Sequence, residues 1–134
     1  MPGKEGFVTE SGPAPDGAAK VREDPIAGIA REDGAIIVSL AGELDLYNAQ
    51  TVREILLKCG DEAPERLIVD LSEVKFIDST ALGVLIEARS RMANRRAFRL
   101  AAPGLETRRA LEVSGLDRHF AVHETVEDAR SSGL

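Results

Sequence analysis

One segment of the sequence restricts the fold more than any other. Residues 66–71 read Arg-Leu-Ile-Val-Asp-Leu, a run of mostly branched apolar residues that is too short for a helix. Such a run is typical of a strand buried on both faces, as in the sheets of α/β proteins. The segment therefore predicts a buried strand, and the rest of the chain has to be arranged around it.

The segments before this strand predict a hairpin and a helix. Residues 26–30 and 35–41 are apolar, and Glu32-Asp33-Gly34 between them predicts the turn of an antiparallel pair. Residues 48–59 then carry apolar side chains at helical spacing opposite charged ones, and Gly60 is the expected helix stop.

The segments after this strand continue the alternation. Ser72-Glu73 predicts a turn before a short extended stretch over 74–77, and residues 81–94 carry one broad apolar stripe typical of a helix. The remaining predicted elements are a strand over 97–101, a helix over 105–113 ending at Gly115, a strand over 120–122 and a terminal helix opened by a capping box at Thr125-Val126-Glu127-Asp128.

This order predicts an α/β fold with a mixed, mostly parallel sheet of four to five strands and about four helices. Strands that are joined by crossover helices point the same way, so the loops at their carboxyl ends share one edge of the sheet. We expect the functional site there. The loops contain Asp45, Asp78-Ser79-Thr80, Pro103-Gly104 and His123.

Length and composition limit the class of protein. The chain has 134 residues, enough for one domain, and 43% hydrophobic but only 4% aromatic residues, which predicts an aliphatic core. Residues 1–24 are rich in Gly and Pro and are predicted to form a flexible tail before a domain over 25–134. The single cysteine, Cys59, forms no internal disulfide and is expected to be a small core residue rather than a redox sensor.

Charge and hydropathy patterning limit the partners. Acidic residues number 23 against 17 basic ones, a net charge of -6, which argues against a nucleic-acid binder dominated by phosphate contacts. No apolar stretch approaches the roughly 20 residues of a membrane span, and no secretory signal opens the chain. We therefore expect a cytoplasmic protein.

Ser79 holds the most informative position, between an extended segment and an amphipathic helix. Asp78, Ser79 or Thr80 is suited to cap that helix, and Asp, Ser and Thr are all preferred caps. The alternative is a modifiable hydroxyl, because a helix N-terminus tolerates a phosphate. Both interpretations stay open on the residues alone.

Other candidate sites are weaker. A hydrolase built on Ser79 lacks the G-x-S-x-G elbow, and no catalytic residue is predicted. His119 and His123 lack an obvious acidic third ligand, so no metal site is predicted.

Val84 lies off the apolar stripe and is either an interface anchor or part of a second buried face. A basic run is expected to be a solvated face, or otherwise a docking surface for an acidic partner or RNA. That run comprises Arg89, Arg91, Arg95, Arg96 and Arg99.

Four ordered motifs resemble the signature segments of STAS domains, and among these the anti-sigma factor antagonists. The resemblance runs from about Ile26 to Ala129. Its motifs are Gly42-Glu43-Leu44-Asp45, Leu67-Ile68-Val69-Asp70-Leu71-Ser72, Phe76 to Leu85, and Ser114-Gly115-Leu116-Asp117. Ala81 departs from the family pattern D-S-[ST]-G, which commonly has Gly at that position.

This resemblance implies a STAS fold and a partner-switching function that needs no cofactor. Family members bind an anti-sigma factor that is also a serine kinase, and so release a sigma factor. Phosphorylation of the serine corresponding to Ser79 ends that binding, and Asp45 and Asp78 correspond to the family's neighbouring acids. The partner-binding edge is expected to include Asp45, Asp78, Ser79, Thr80, Ala81 and Val84. A STAS scaffold or accessory subunit without the switch, such as a stressosome component or a lipid-transport partner, is the alternative.

Overall fold

The computed structural model describes residues 24–133 as one α/β sheet with helices on both faces. The tail predicted over residues 1–24 lies, except for Asp24, outside the described residues. The strands are β1 (Ile26–Glu32), β2 (Ala35–Leu44), β3 (Arg66–Ile77), β4 (Phe98–Ala101) and β5 (Ala121–His123). The helices are α1 (Ala49–Asp61), α2 (Ser79–Arg91), α3 (Leu105–Val113) and α4 (Val126–Ser131), with short 3₁₀ turns at Arg95–Ala97 and Leu116–Arg118.

The strand order β1-β2-β3-β4-β5 confirms the predicted mixed sheet. β1 and β2 are antiparallel, and the other three pairs are parallel. The hairpin turns at Asp33 and Gly34, whose φ angles of 49° and 82° fit the two-residue turns that match the twist of paired strands. The sequence pattern therefore predicted the leading hairpin and the parallel strands correctly.

β3 is longer than the sequence pattern indicates. The turn predicted at Ser72-Glu73 is wrong, because Arg66 to Ile77 form one continuous strand. Its pairing with β2 shifts register between Ser39 and Ala41, and the Ser72 N–H donates to Asp70 Oδ1 at 3.0 Å. This irregularity in strand pairing accommodates Ser72 and Glu73, the polar residues that suggested a turn.

Two helix ends also differ from the prediction. α1 does not stop at Gly60 but continues to Asp61, and the left-handed residue beyond it is Ala63, with φ 54°. α2 ends at Arg91 rather than at Asn94. Asn94 instead accepts a hydrogen bond from the Arg96 N–H at 3.1 Å, so the next 3₁₀ turn uses it as a cap.

The core is aliphatic, as expected, and lies mainly between the sheet and α1, α2 and α3. A smaller cluster joins α4 to the other face through Ala35, Ile68, Ala101 and Ala129. Cys59 is buried in the main core, which confirms its structural role. Together these layers fix the position of α2, which carries Ser79 at its first residue.

The two helices next to the candidate site are also joined at their surface. Arg53 of α1 donates two hydrogen bonds of 2.8 Å to the carboxylate of Glu87 on α2. Arg91 adds a third donor to that carboxylate at 3.2 Å. The paired geometry of a guanidinium and a carboxylate fixes orientation, so α1 and α2 hold a defined relative position beneath the loops that precede them.

Candidate functional site

The carboxyl ends of the parallel strands are staggered rather than level. β4 pairs with β3 only as far as Asp70, opposite Ala101, whereas β3 continues for seven more residues to Ile77. At about 3.3 Å per residue this extension is roughly 20 Å long. Among residues 24–133 only β2 pairs with this extension, with Leu44 opposite Ile77. The loops after β2 and β3 therefore lie together, away from those after β4 and β5.

This stagger corrects the predicted composition of the site. Asp45 and Asp78 follow neighbouring strand ends, as predicted. Gly104 begins α3 after the shorter strand β4, and His123 ends β5 opposite Ala101. The Pro103-Gly104 and His123 loops are thus not part of the edge that carries Ser79. The sequence correctly predicted strand direction but not strand length, because length depends on the partner available for pairing.

Asp78 is the residue that caps α2. Its Oδ1 accepts a hydrogen bond from the Ala81 N–H at 3.0 Å, and its backbone is extended, as in a typical N-cap. Its Oδ2 accepts another from the Leu46 N–H at 3.2 Å, and its own N–H donates to the Leu44 carbonyl at 3.0 Å. Asp78 therefore joins the start of α2 to the loop between β2 and α1.

The loop between β2 and α1 is held by its own polar side chains. Asp45 Oδ1 accepts from the Tyr47 N–H at 3.0 Å, and Asn48 Oδ1 accepts from the Asp45 N–H at 3.0 Å. Asn48 Nδ2 donates to the Glu43 carbonyl at 2.8 Å. These bonds give the loop an ordered backbone that presents Leu46 and Tyr47 outward.

Ser79 and Thr80 are both exposed at the start of α2. Within residues 24–133 neither hydroxyl is recorded in a hydrogen bond, since Asp78 supplies the cap. Asp78 is therefore the residue that caps α2, and neither Ser79 nor Thr80 has that role. The Ser79 hydroxyl is left accessible at the positive end of the helix dipole.

Ala81 and Val84 differ from the other predicted site residues, because both side chains are buried, at 2% and 8% exposure. Val84 belongs to the core, so the alternative of a second buried face is the one observed, and Val84 is not an exposed anchor. The Ala81 methyl group also packs inward. Val84 thus adds a buried position to the broad apolar stripe that the sequence predicts for α2.

Three exposed apolar side chains near these loops were missed at the sequence level. Leu46 is 61% exposed, Tyr47 is 79% exposed and Phe76 is 50% exposed. Phe76 pairs with Glu43 in the register of β2 and β3, one step from the end of both strands. Exposed apolar residues are ordinary when scattered, but three on adjacent loops and strand ends are a candidate docking surface. The signal in the sequence was the apolar Leu46-Tyr47 inside a loop.

Several acidic residues lie at or near this edge. Asp45 and Asp78 lie in the adjoining loops, whereas Glu73 pairs opposite Ala41, four residues before the end of β3. Glu43, opposite Phe76, is the strand acid closer to Ser79 in register. The acidic residues closest to Ser79 at this edge are therefore Asp45, Asp78 and Glu43.

The other candidate residues lie elsewhere. Arg99 is buried at 3% exposure and donates to backbone carbonyls at the end of α4, so the predicted solvated face does not include it. His119 is exposed beside Arg89, while His123 ends β5. Residues 24–133 hold no group of three His, Cys, Asp or Glu side chains placed to bind a metal. Over the same range no helix is long and apolar enough to span a bilayer.

Comparison with known proteins agrees with this fold. The family model of the STAS domain matches residues 28–129. The anti-sigma-F factor antagonist RsfB of Mycobacterium tuberculosis is 32% identical over 101 residues, covering 75% of this chain and 83% of RsfB. The anti-sigma-B factor antagonist of Listeria monocytogenes is 36% identical over 88 residues, covering 64% and 76%.

A solved structure extends the similarity to three dimensions. The crystal structure of an anti-sigma factor antagonist from Mycobacterium paratuberculosis is similar with a TM-score of 0.72 at 30% identity, over 77% of this chain and 88% of that one. The fold is therefore that of a STAS domain. The chain belongs to the STAS domain family, and its similarity to the anti-sigma factor antagonists within that family is confirmed.

Proposed function

We propose that this protein is an anti-sigma factor antagonist of the cytoplasm that is switched by phosphorylation of Ser79. Unmodified, it binds an anti-sigma factor that is also a serine kinase, and so releases a sigma factor. The observation that carries the proposal is the Ser79 hydroxyl, which is exposed at the start of α2 while Asp78 performs the capping. The names of the relatives support an anti-sigma factor as the partner.

The position of Ser79 suits a modified residue. In the transfer, Ser79 Oγ bonds to the γ-phosphorus of ATP, the bond to the β-phosphate oxygen breaks, and ADP and a proton leave. The nucleotide, Mg²⁺ and catalytic groups belong to the kinase. Because the phosphate lies at a helix N-terminus, the fold tolerates its charge of about -1.5 to -2.

The same charge disturbs the surface around it. A phosphate on Ser79 adjoins the Asp78 carboxylate, whose Oδ2 accepts the Leu46 N–H. Repulsion between the two anions weakens that hydrogen bond, and Asp45 and Glu43 add to the negative potential of the edge. The loop that presents Leu46 and Tyr47 is then held less firmly to Asp78 at the start of α2. Phosphorylation therefore alters both the charge and the shape of the docking surface.

Phosphorylation is tested by intact-mass spectrometry with site localisation. The protein is incubated with ATP, Mg²⁺ and each candidate anti-sigma kinase of its own organism. We expect one added phosphate on Ser79, none on Ser79→Ala, and normal modification of Thr80→Ala, which removes the adjacent exposed hydroxyl.

Binding to the same anti-sigma factor is then measured by calorimetry. We expect Ser79→Ala to bind within about twofold of the unmodified protein, and Ser79→Asp or Ser79→Glu to bind about 30- to 1000-fold more weakly, a loss of roughly 2 to 4 kcal/mol. Ser131→Asp on α4 is the control, because it adds the same charge at an exposed position on the opposite face of the sheet.

Two results would contradict the switch. Equal affinity of the Ser79→Ala, Ser79→Asp and Ser79→Glu proteins would exclude control by charge at this position. A stable complex without modification by any of the kinases would assign the protein to constitutive antagonists or to STAS scaffolds.

A further inference from the structure

A cavity of about 390 Å³ lies at the opposite end of α2 from Ser79. The chain has a net charge of -6, yet among the described residues no Asp or Glu lines this cavity. Its charged walls are Arg89, Arg95, Arg96, Arg99 and Arg118. A concave site lined by one sign of charge concentrates the electrostatic potential and attracts ions of the opposite sign.

Arg99 supplies a buried positive charge at this cavity. Its guanidinium is held by carbonyl groups at the end of α4, with Nη1 donating to Ser132 at 2.8 Å and Nη2 to Gly133 at 2.7 Å. Arg66 also donates to the Ser132 carbonyl, at 2.9 Å. Within residues 24–133 no carboxylate lies within ion-pair distance of Arg99. The dipoles of these carbonyls compensate the charge only in part, so an anion is favoured here.

Arg95 and Arg118 contribute exposed guanidinium groups from two separate 3₁₀ turns, before β4 and before β5. Neither is in an ion pair with a carboxylate of residues 24–133. Arg89, in the last turn of α2, contacts His119, with Nη1 and Nε2 3.4 Å apart. Guanidinium groups that converge from three elements match the several oxygens of a phosphate, each of which accepts two or more hydrogen bonds.

His123 gives a second sign of an incomplete site. It lines the cavity, and its Nε2 is buried without a hydrogen-bond partner among the described residues. Buried polar atoms normally have partners, so an orphaned nitrogen in a cavity lined by five arginines is unusual. Burial lowers the pKa of His123, and the positive charge of Arg99 lowers it further.

We propose that this cavity binds a small phosphate-bearing molecule, whose phosphate oxygens are contacted by Arg89, Arg95 and Arg118. The volume falls in the range of small-ligand sites. Arg89 lies ten positions after Ser79 in α2, which is about 15 Å along the helix. The site is therefore separate from the docking surface, and it does not depend on the switch at Ser79.

The two histidines of the chain both line this cavity, so their imidazole NMR signals report its occupancy. The full chain is titrated with inorganic phosphate and with pyrophosphate at constant ionic strength, with sodium chloride as the reference. We expect saturable shifts of both imidazoles and at least tenfold tighter binding of pyrophosphate than of phosphate. Ser79→Ala is expected to give the same curves.

Single variants locate the ligand. Arg95→Ala and Arg118→Ala are each expected to weaken pyrophosphate binding at least fivefold, and both side chains are exposed, so the fold is retained. Arg109→Ala is the matched control, since it removes an exposed arginine of α3 outside the cavity, and it is expected to change binding less than twofold.

Three results would overturn the proposal. Shifts that stay linear, or that sodium chloride reproduces, would show general screening instead of a site. An equal loss of binding in Arg109→Ala would show dependence on total charge. Tighter binding of a poly-glutamate peptide than of pyrophosphate would assign the cavity to an acidic protein segment.

Discussion

The carboxylate of Asp78 accepts the backbone N–H of Leu46 at 3.2 Å, across the gap between the two loops of the functional edge. Its other oxygen caps α2 two residues beyond Ser79, at the Ala81 N–H. One side chain therefore fixes the helix that carries the modifiable hydroxyl and the loop that carries exposed apolar residues. A change in charge beside Asp78 acts on both elements at once.

Loss of this bridge is expected to destabilise the protein. Asp78→Ala leaves the N-cap and the Leu46 N–H without their acceptor, so we expect the free energy of unfolding to fall by about 1 to 2 kcal/mol. Urea denaturation followed by circular dichroism measures the change. Thr80→Ala, which removes an exposed hydroxyl that is no cap, is expected to stay within about 0.5 kcal/mol. Equal stability of both variants would mean that Asp78 does not hold the edge.

The exposed apolar residues are expected to affect binding without affecting stability. Leu46→Ala and Tyr47→Ala each remove a largely exposed side chain beside Asp78, and we expect each to weaken binding to the anti-sigma factor more than tenfold. The free energy of unfolding is expected to change by less than about 0.5 kcal/mol. Leu105→Ala is the matched control, because Leu105 is similarly exposed on α3. A comparable loss of affinity in Leu105→Ala would mean that Leu46 and Tyr47 do not form a specific docking surface.

Arg99 is expected to hold α4 on the sheet. Its guanidinium donates to the carbonyls of Ala129, Ser132 and Gly133, so Arg99→Met leaves several acceptors without a donor. We expect the free energy of unfolding to fall by about 3 kcal/mol, measured by denaturant titration. Arg95→Met, at an exposed position, is the control and is expected to change it by less than about 0.5 kcal/mol.

Acid is expected to weaken the contact between α1 and α2. The hydrogen bonds from Arg53 lower the pKa of Glu87 below its ordinary value of 4.5. The stabilisation that Glu87 contributes is therefore complete above pH 4.5 and is lost as the pH falls through the lowered pKa. Glu87→Gln is expected to reduce the slope of unfolding free energy against pH below 4.5. Glu112→Gln, at an exposed position without an ion pair among residues 24–133, is expected to keep the slope.

Local patterns predicted most of the fold. The alternation of branched apolar runs with helical periodicity gave the order of strands and helices, the antiparallel hairpin and the capping of α4 by Thr125, whose Oγ1 accepts the Asp128 N–H at 3.0 Å. These features depend on residues that are close together in the chain, so they can be predicted from the sequence. Ser79 and Asp78 were also identified from their local setting between a strand and a helix.

The features that were missed depend on distant partners. The extension of β3 past Asp70 exists because β2 pairs with it, and no pattern within residues 66–77 reports that pairing. The sequence left two alternatives open at Val84, and packing against α2 decided for the buried one. The burial of Arg99 was missed because it depends on carbonyls at the end of α4, about thirty residues later. For the length of β3 and the exposure of Arg99, tertiary contacts overrode the local sequence pattern on which the prediction was based.

By itself, the sequence determined the class of fold and the helix start that carries Ser79, because periodicity, capping and turn chemistry act over a few residues. The family followed from the resemblance of four ordered motifs to STAS domains. Only the tertiary structure decided that Asp78 caps α2 and leaves the Ser79 and Thr80 hydroxyls accessible, which apolar side chains are exposed on the neighbouring loops, and which arginines surround a shared cavity. Those properties follow from strand register and helix packing, which bring together residues that the chain keeps far apart.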